Sequence, residues 1–160
     1  MCIFGWKLKL KKESINNSAV EHSSLGTFIL NTNEKKLRLK SGGHGEENLQ
    51  ALKNLGYDYN IVAKYPNGVR LGNIPSHRNK QKRTGDWQVW FPKTWTRDTI
   101  KKAGEKTINS IPLKFPDGKN MFGTYDKVKV VVKRKNGKVA TVFPYYKQKG
   151  VKQWIGKKEV

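Results

Sequence analysis

The sequence predicts an α+β fold, and three observations carry that prediction. Two Asn-Gly turns each sit between runs rich in β-branched and aromatic residues, Ile61 to Tyr65 with Val69 to Ile74 and Tyr125 to Lys133 with Lys138 to Tyr146. Because Asn-Gly tolerates positive φ, both read as antiparallel hairpins. Two other stretches place apolar residues at helical spacing with helix-end chemistry at their borders, so helices stand beside the hairpins. The 160 residues are 36% hydrophobic and include five Trp, enough to close a core and to exclude a wholly disordered basic tail.

Residues 1 to 40 alternate loosely between apolar and polar at Lys7 to Lys11, Gly26 to Leu30 and Leu37 to Leu39, with breaks at Ile15 to Ser18 and Asn31 to Asn33. They are expected to form short strands or arms, a small N-terminal subdomain ahead of a core at 41–146, with 147–160 a basic tail. Leu49, Leu52 and Leu55, acids at Glu46 and Glu47, Lys53 near the end and Gly56 as terminator predict a helix over 46–55. His44 would then stand at that helix's N-terminus, where free amides attract a phosphate oxygen. After the first hairpin, His77 falls on a loop. Trp87, Trp90 and Trp95 are expected in the core rather than as a base-stacking platform. Thr96 as N-cap, Asp98 in the first turn, and Ile100, Ala103 and Ile108 on one face predict the second helix, slightly weakened by Gly104. Pro116-Asp117-Gly118 then turns the chain into the last hairpin.

The net charge is +21 with a pI near 10.1, which implies a polyanionic partner. The imbalance is patterned, for Tyr59 to Gly85 contains no acid and neither does the stretch between Asp126 and Glu159. The single cysteine, Cys2, excludes an intramolecular disulfide framework and a thiolate metal site. MCIFGW is shorter than a secretory apolar core and is followed, not preceded, by basic residues, and no run is long and apolar enough to span a bilayer. No membrane insertion by this chain is expected.

Metal-dependent hydrolysis needs several His, Cys, Asp or Glu at ligand spacing, and the sequence has neither HExxH nor CxxC nor a DxD pair. No metal and no cofactor are therefore expected. What the sequence offers is His77 within KYPNGVRLGNIPSHRNKQKR, among six Lys and Arg without a carboxylate, and His44 in SGGHGEEN. Each imidazole exchanges a proton near neutrality while the cations hold phosphates. Without a metal this set suits RNA alone, because the ribose 2′-OH attacks the adjacent phosphodiester once a base takes its proton and an acid protonates the leaving 5′-oxygen. The positive field lowers histidine pKa values. His22, in a weakly patterned region, is expected to be solvated.

GGHG at Gly42 to Gly45, YPNGVRLGNIPSHRNKQKRTG at Tyr65 to Gly85, WFPKTW at Trp90 to Trp95, IKKAGE at Ile100 to Glu105 and NGKVATVFP at Asn136 to Pro144 closely resemble the bacterial EndoU nuclease domain. The likeness runs in order over residues 40 to 146. It implies the EndoU fold, two antiparallel-sheet subdomains with flanking helices, and a His, His, Lys catalytic set that leaves a 2′,3′-cyclic phosphate. His44 matches the family's first histidine, taken as general acid, and His77 the second, taken as general base, although the roles can exchange without conflict with the sequence. Lys82 is chosen as the catalytic lysine over Lys80 and Arg83. Thr141 and Phe143 fall where the family holds the base, with Phe143 standing where many relatives carry Tyr. Gly43, Arg78 and Arg83 complete the expected substrate contacts.

These domains commonly form the toxic tip of secreted polymorphic toxins, including contact-dependent growth-inhibition effectors. The resemblance therefore implies RNA as substrate, tRNA in particular, an acidic immunity protein as partner, delivery with a larger toxin and action in a target-cell cytoplasm. Two other readings compete: a non-catalytic basic RNA-binding module, and a metal-dependent His nuclease on DNA suggested by His77-Arg78-Asn79.

Overall fold

Hairpins and capped helices assemble into the expected α+β architecture. The computed structural model describes residues 12–155. Lys7 to Lys11, read above as extended, and the end of the basic tail lie outside the described residues. Three helices, α1 (Asn17–Ser24), α2 (Glu46–Asn54) and α3 (Arg97–Ile108), accompany three antiparallel sheets among the described residues. β1 (Thr27–Asn31) pairs with β2 (Lys36–Ser41). β3 (Asn60–Lys64), β4 (Arg70–Asn73), β5 (Gln88–Trp90) and β9 (Gln153–Trp154) form a sheet in the order β5-β4-β3-β9. β6 (Met121–Tyr125), β7 (Val128–Lys135) and β8 (Lys138–Pro144) form the third, in chain order.

Both Asn-Gly hairpins form, β3 with β4 and β7 with β8, and Asn136 and Gly137 both take positive φ. Thr96 caps α3, its hydroxyl accepting from the Thr99 amide. Three expectations need correction. The region read as strands or arms begins with a helix: Asn16 accepts from the Ala19 amide at 2.9 Å and starts α1, whose Ala19 and Val20 join Ile15 in the main core. This segment is thus part of the core rather than a separate subdomain, and Glu13 reinforces it by pairing bidentately with the buried Arg134 at 2.6 and 2.7 Å. Tyr125 to Lys133 is not one strand, because the chain reverses at Asp126 and Lys127, both with positive φ, between β6 and β7. Gly104 does not merely weaken α3: a Cβ there would lie 2.6 Å from Ile15 Cδ1 and 2.7 Å from Val142 Cγ2, so its absence lets the helix pack against α1 and β8.

Two apolar clusters organise the interior. The larger joins α1 and α3 to the inner face of the β6–β7–β8 sheet through Ile100, Ala103, Val128, Val130, Val132 and Val142. The smaller gathers Leu39, Leu49, Leu52, Ile61, Ile74 and Trp90 around α2 and β4. Trp90 and Trp95 are buried as expected, but Trp87 is 58% exposed. Beyond β8 the chain returns, and β9 pairs with β3, so the start of the basic tail closes a sheet.

Candidate active site

The loop from Gly42 to Gly45 is held by α1. The amides of Gly43, His44 and Gly45 donate in succession to the carbonyls of His22, Ser23 and Ser24, at 3.0, 2.6 and 2.9 Å. These are the last turn of α1, whose carbonyls have no partner within the helix. His44 itself is buried, its carbonyl accepts from the Phe91 amide, and its Nδ1 lies 2.7 Å from the carbonyl oxygen of Val89 on β5. A carbonyl only accepts, so Nδ1 carries the proton and the neutral ring keeps its lone pair on Nε2. The ring packs 5.6 Å from that of Phe143.

His77 is arranged the opposite way. It follows β4 in a loop closed by its own amide on the Ile74 carbonyl, the Ile74 amide on the Lys82 carbonyl, and the Arg83 guanidinium on the His77 carbonyl at 2.6 Å. Its Nδ1 accepts from the Asn79 amide at 2.9 Å, so the neutral ring carries its proton on Nε2. That N–H is enclosed and has no partner among the described residues, an unusual state for a buried donor.

Lys82 ends the short 3-10 turn Lys80–Lys82 and is half-buried. Its charge acts on all three histidines, whereas that of Arg83 acts on His77. Burial first, and the Lys82 ammonium second, hold His44 at about 3 against the pull of the Val89 carbonyl. The same two causes, with Arg83 and Arg38, hold His77 at about 4. Lys82 is itself lowered, by burial and then by Lys133. At neutral pH the site therefore holds two uncharged imidazoles, one with a free lone pair and one with a free N–H, beside an ammonium that gives up its proton more readily than an ordinary lysine.

The remaining predicted residues divide. Thr141 and Phe143 stand on β8 beside this group; the Thr141 hydroxyl is enclosed without a partner, and Lys133 lies 5.8 Å over the Phe143 ring. Arg78 is exposed. Arg83 spends its guanidinium on the carbonyls of His77 and Arg78, which fixes the His77 loop. Gly43 corrects the expectation of a phosphate cradle. Its amide goes to His22 and its carbonyl accepts from Gln88 at 2.9 Å, while its φ of +75° and the 2.4 Å from a would-be Cβ to Asn48 Nδ2 require glycine. Gly43 thus positions His44 rather than offering an N–H to substrate.

His22, expected to be solvated, is instead half-buried with its ring against Gly42 and its Nδ1 2.7 Å from Thr27 Oγ1. Sequence gave no sign of this, because the contact is made only when α1 meets the glycine loop. Lys133 on β7, which lowers the pKa of Lys82 and lies over Phe143, is a further cation of this site, and nothing in its strand pattern sets it apart from the lysines around it. A cavity of about 800 Å³ lies elsewhere, lined by Glu13, Ile108, Leu113 and Arg134 among others; it contains no histidine. Among the described residues no three His, Cys, Asp or Glu side chains cluster as a metal site would require, and no helix is long and apolar enough to cross a membrane.

Residues 18–146 match the family described as bacterial EndoU nuclease. Comparison with curated proteins and with solved structures gave no match.

Proposed function

Because the chain belongs to the bacterial EndoU nucleases, we propose that it is a metal-independent endoribonuclease that cuts RNA by 2′-OH transesterification, leaving a 2′,3′-cyclic phosphate. The observation that carries this reading is the opposed polarity of two neighbouring imidazoles beside Lys82. His44 Nε2 takes the 2′-OH proton, since it alone of the pair has a lone pair to accept it. The O2′–P bond then forms and the P–O5′ bond breaks. His77 donates its Nε2–H to the phosphate as charge builds there, after the side chains that cover it part. The departing oxygen takes its proton from Lys82, because a neutral imidazole has none to release near neutrality. His44 gains one proton and Lys82 loses one, and exchange with water restores both. The roles suggested by family order, His44 as acid and His77 as base, are thereby changed: His44 becomes the base, Lys82 the acid, and His77 a hydrogen-bond donor to the phosphate.

Thr141 and Phe143 hold the base, with the enclosed hydroxyl of Thr141 as its polar contact. The charge of +21 supports a polyanionic substrate, for which the resemblance suggests tRNA, and an acidic immunity protein as the partner that silences it. Delivery as the tip of a larger toxin into a target-cell cytoplasm completes the reading.

The test incubates the purified full chain with a single-stranded RNA in EDTA. Cleavage ending in cyclic phosphate is expected, lost in His44→Ala and slowed about ten- to a hundredfold in His77→Ala. RNA that is bound but stays intact would overturn the proposal in favour of a binding module, and activity abolished by EDTA would point to a metal nuclease.

A further inference from the structure

The outer face of the β6–β7–β8 sheet is unlike an ordinary solvated face. Residues paired across an antiparallel sheet point the same way, and the register sets Phe122 opposite Val131 and Val131 opposite Phe143, one strand further on. Lys133 is opposite Thr141 and Lys129 opposite Thr124, while the Tyr145 amide bonds the Lys129 carbonyl. One row of side chains therefore continues from Phe143, beside His44, to Phe122 at the far edge. Val131, in the middle, is fully buried yet belongs to neither core cluster.

Along and beside this row, aromatic rings interleave with ammonium groups. Tyr145 meets Phe122 edge to face at 5.1 Å and Tyr146 at 4.8 Å. The Lys129 ammonium sits 5.1 Å from the Phe122 ring and 4.9 Å from that of Tyr145, and Lys147 lies 5.5 Å from Tyr146. Phe122 is 45% exposed and Tyr146 49%. No acid stands among the outward-facing residues of the three strands. Large rings left at the surface, each with a cation beside it and none with an anion, suit flat bases joined by phosphates.

We infer that this face is a binding track for the unpaired nucleotides flanking the cleaved linkage, with Phe122 and Tyr145 stacking on a base and Lys129 meeting a phosphate. The inference rests on the ribonuclease reading for its direction, away from His44, and names a substrate class for it: single-stranded RNA longer than the two nucleotides at the scissile bond. Phe122 lies two strand spacings from Phe143, about 10 Å, so a dinucleotide does not reach it.

The test measures fluorescence anisotropy of labelled RNA on the full-length His44→Gln protein, whose cleavage is slowed about 10²–10⁴-fold, within a time too short for product to form. An octamer and a dinucleotide are compared on this parent and after adding Phe122→Ala, Tyr145→Ala or Lys129→Ala. Loss of either ring is expected to raise the octamer Kd about tenfold and to shrink its advantage over the dinucleotide by the same factor. Tyr145→Phe should restore the ring and the affinity. An octamer made abasic outside the scissile pair should bind the parent about tenfold more weakly and lose little more on Phe122→Ala. Octamer affinities within twofold of the parent in both ring variants, with unchanged melting temperatures, would overturn the inference, and would leave the ribonuclease reading standing if wild type still cleaves. RNA bound through the rings but never cleaved by wild type would leave the track standing and remove the mechanism. A role in docking an acidic protein instead would show as ring variants that lose such a partner while holding RNA normally, which also overturns it.

Discussion

Making His44 the base and His77 a hydrogen-bond donor has a measurable consequence, because glutamine can replace a hydrogen-bond donor but not a base. In His44→Gln the side chain has no lone pair able to take the 2′-OH proton, and losing a general base costs about 10²–10⁴ in rate. In His77→Gln the amide N–H can reach the position that Nε2–H holds. Even complete loss of a hydrogen bond to a developing charge costs about 1.5–3 kcal/mol, roughly ten- to a hundredfold, and the glutamine should keep part of it. Single-turnover cleavage of one RNA oligomer should thus rank wild type above His77→Gln and His77→Gln well above His44→Gln. A second substrate, with sulfur in place of the bridging 5′-oxygen, separates base from acid because a thiolate departs without a proton. Lys82→Arg keeps the charge but holds its proton too tightly to give it up, so it should be slow on the oxygen substrate and near wild type on the sulfur one. His44→Gln should stay slow on both. If sulfur rescues His44→Gln and not Lys82→Arg, or if His77→Gln is as inactive as His44→Gln, the polarity read from the Val89 and Asn79 hydrogen bonds is not the catalytic one.

Three further outcomes follow from the same structure. His44 and His77, held at about 3 and about 4, stay neutral in the native state while the unfolded chain takes up protons below about 6.5. Stability should therefore fall as pH drops through that window by about 1.4 kcal/mol per pH unit for each histidine; equal urea midpoints at pH 7 and pH 5 would contradict buried neutral rings. Gly104→Ala gains about 1 kcal/mol of helix propensity but drives a methyl into Ile15 and Val142, which costs about 1–3 kcal/mol, so thermal denaturation should show a net loss and a raised melting temperature would refute the close packing. Glu13→Ala leaves Arg134, whose side chain is 3% exposed, without its carboxylate and should cost about 3 kcal/mol, read as a lower denaturant midpoint with an unchanged slope.

What the sequence disclosed is what local chemistry decides. Asn136-Gly137 announces its hairpin because few other pairs accept two successive left-handed residues, and Pro66-Asn67-Gly68 because its turn needs positive φ at Gly68. The turn between β6 and β7 uses the same left-handed region at Asp126 and Lys127, residues that carry no such signal, so two strands read as one. Helix α1 was hidden because its eight residues include a histidine and three serines, and its stability comes from Ile15, Ala19 and Val20 packing on residues more than eighty positions away. Its Asn16 cap was the one local mark it left.

The site divides along the same line. His44, His77 and Lys82 could be nominated as candidates from the chain, through the glycines, loop and run of cations around them and the resemblance those strings carry. Their chemical states could not. Which nitrogen of each ring holds the proton is set by Val89, forty-five residues from His44, and by the backbone of Asn79. The amides of Gly43, His44 and Gly45, just ahead of α2, are committed for a similar reason: the end of α1, an element the pattern did not reveal, claims all three in a row. One unrecognised helix thus accounts for the misreading of Gly43 and of His22 alike, because both are fixed by the same seam between α1 and the glycine loop. Loosening that seam should therefore disturb His44 before it disturbs His77, whose loop is tied by Arg83, Lys82 and Ile74 instead.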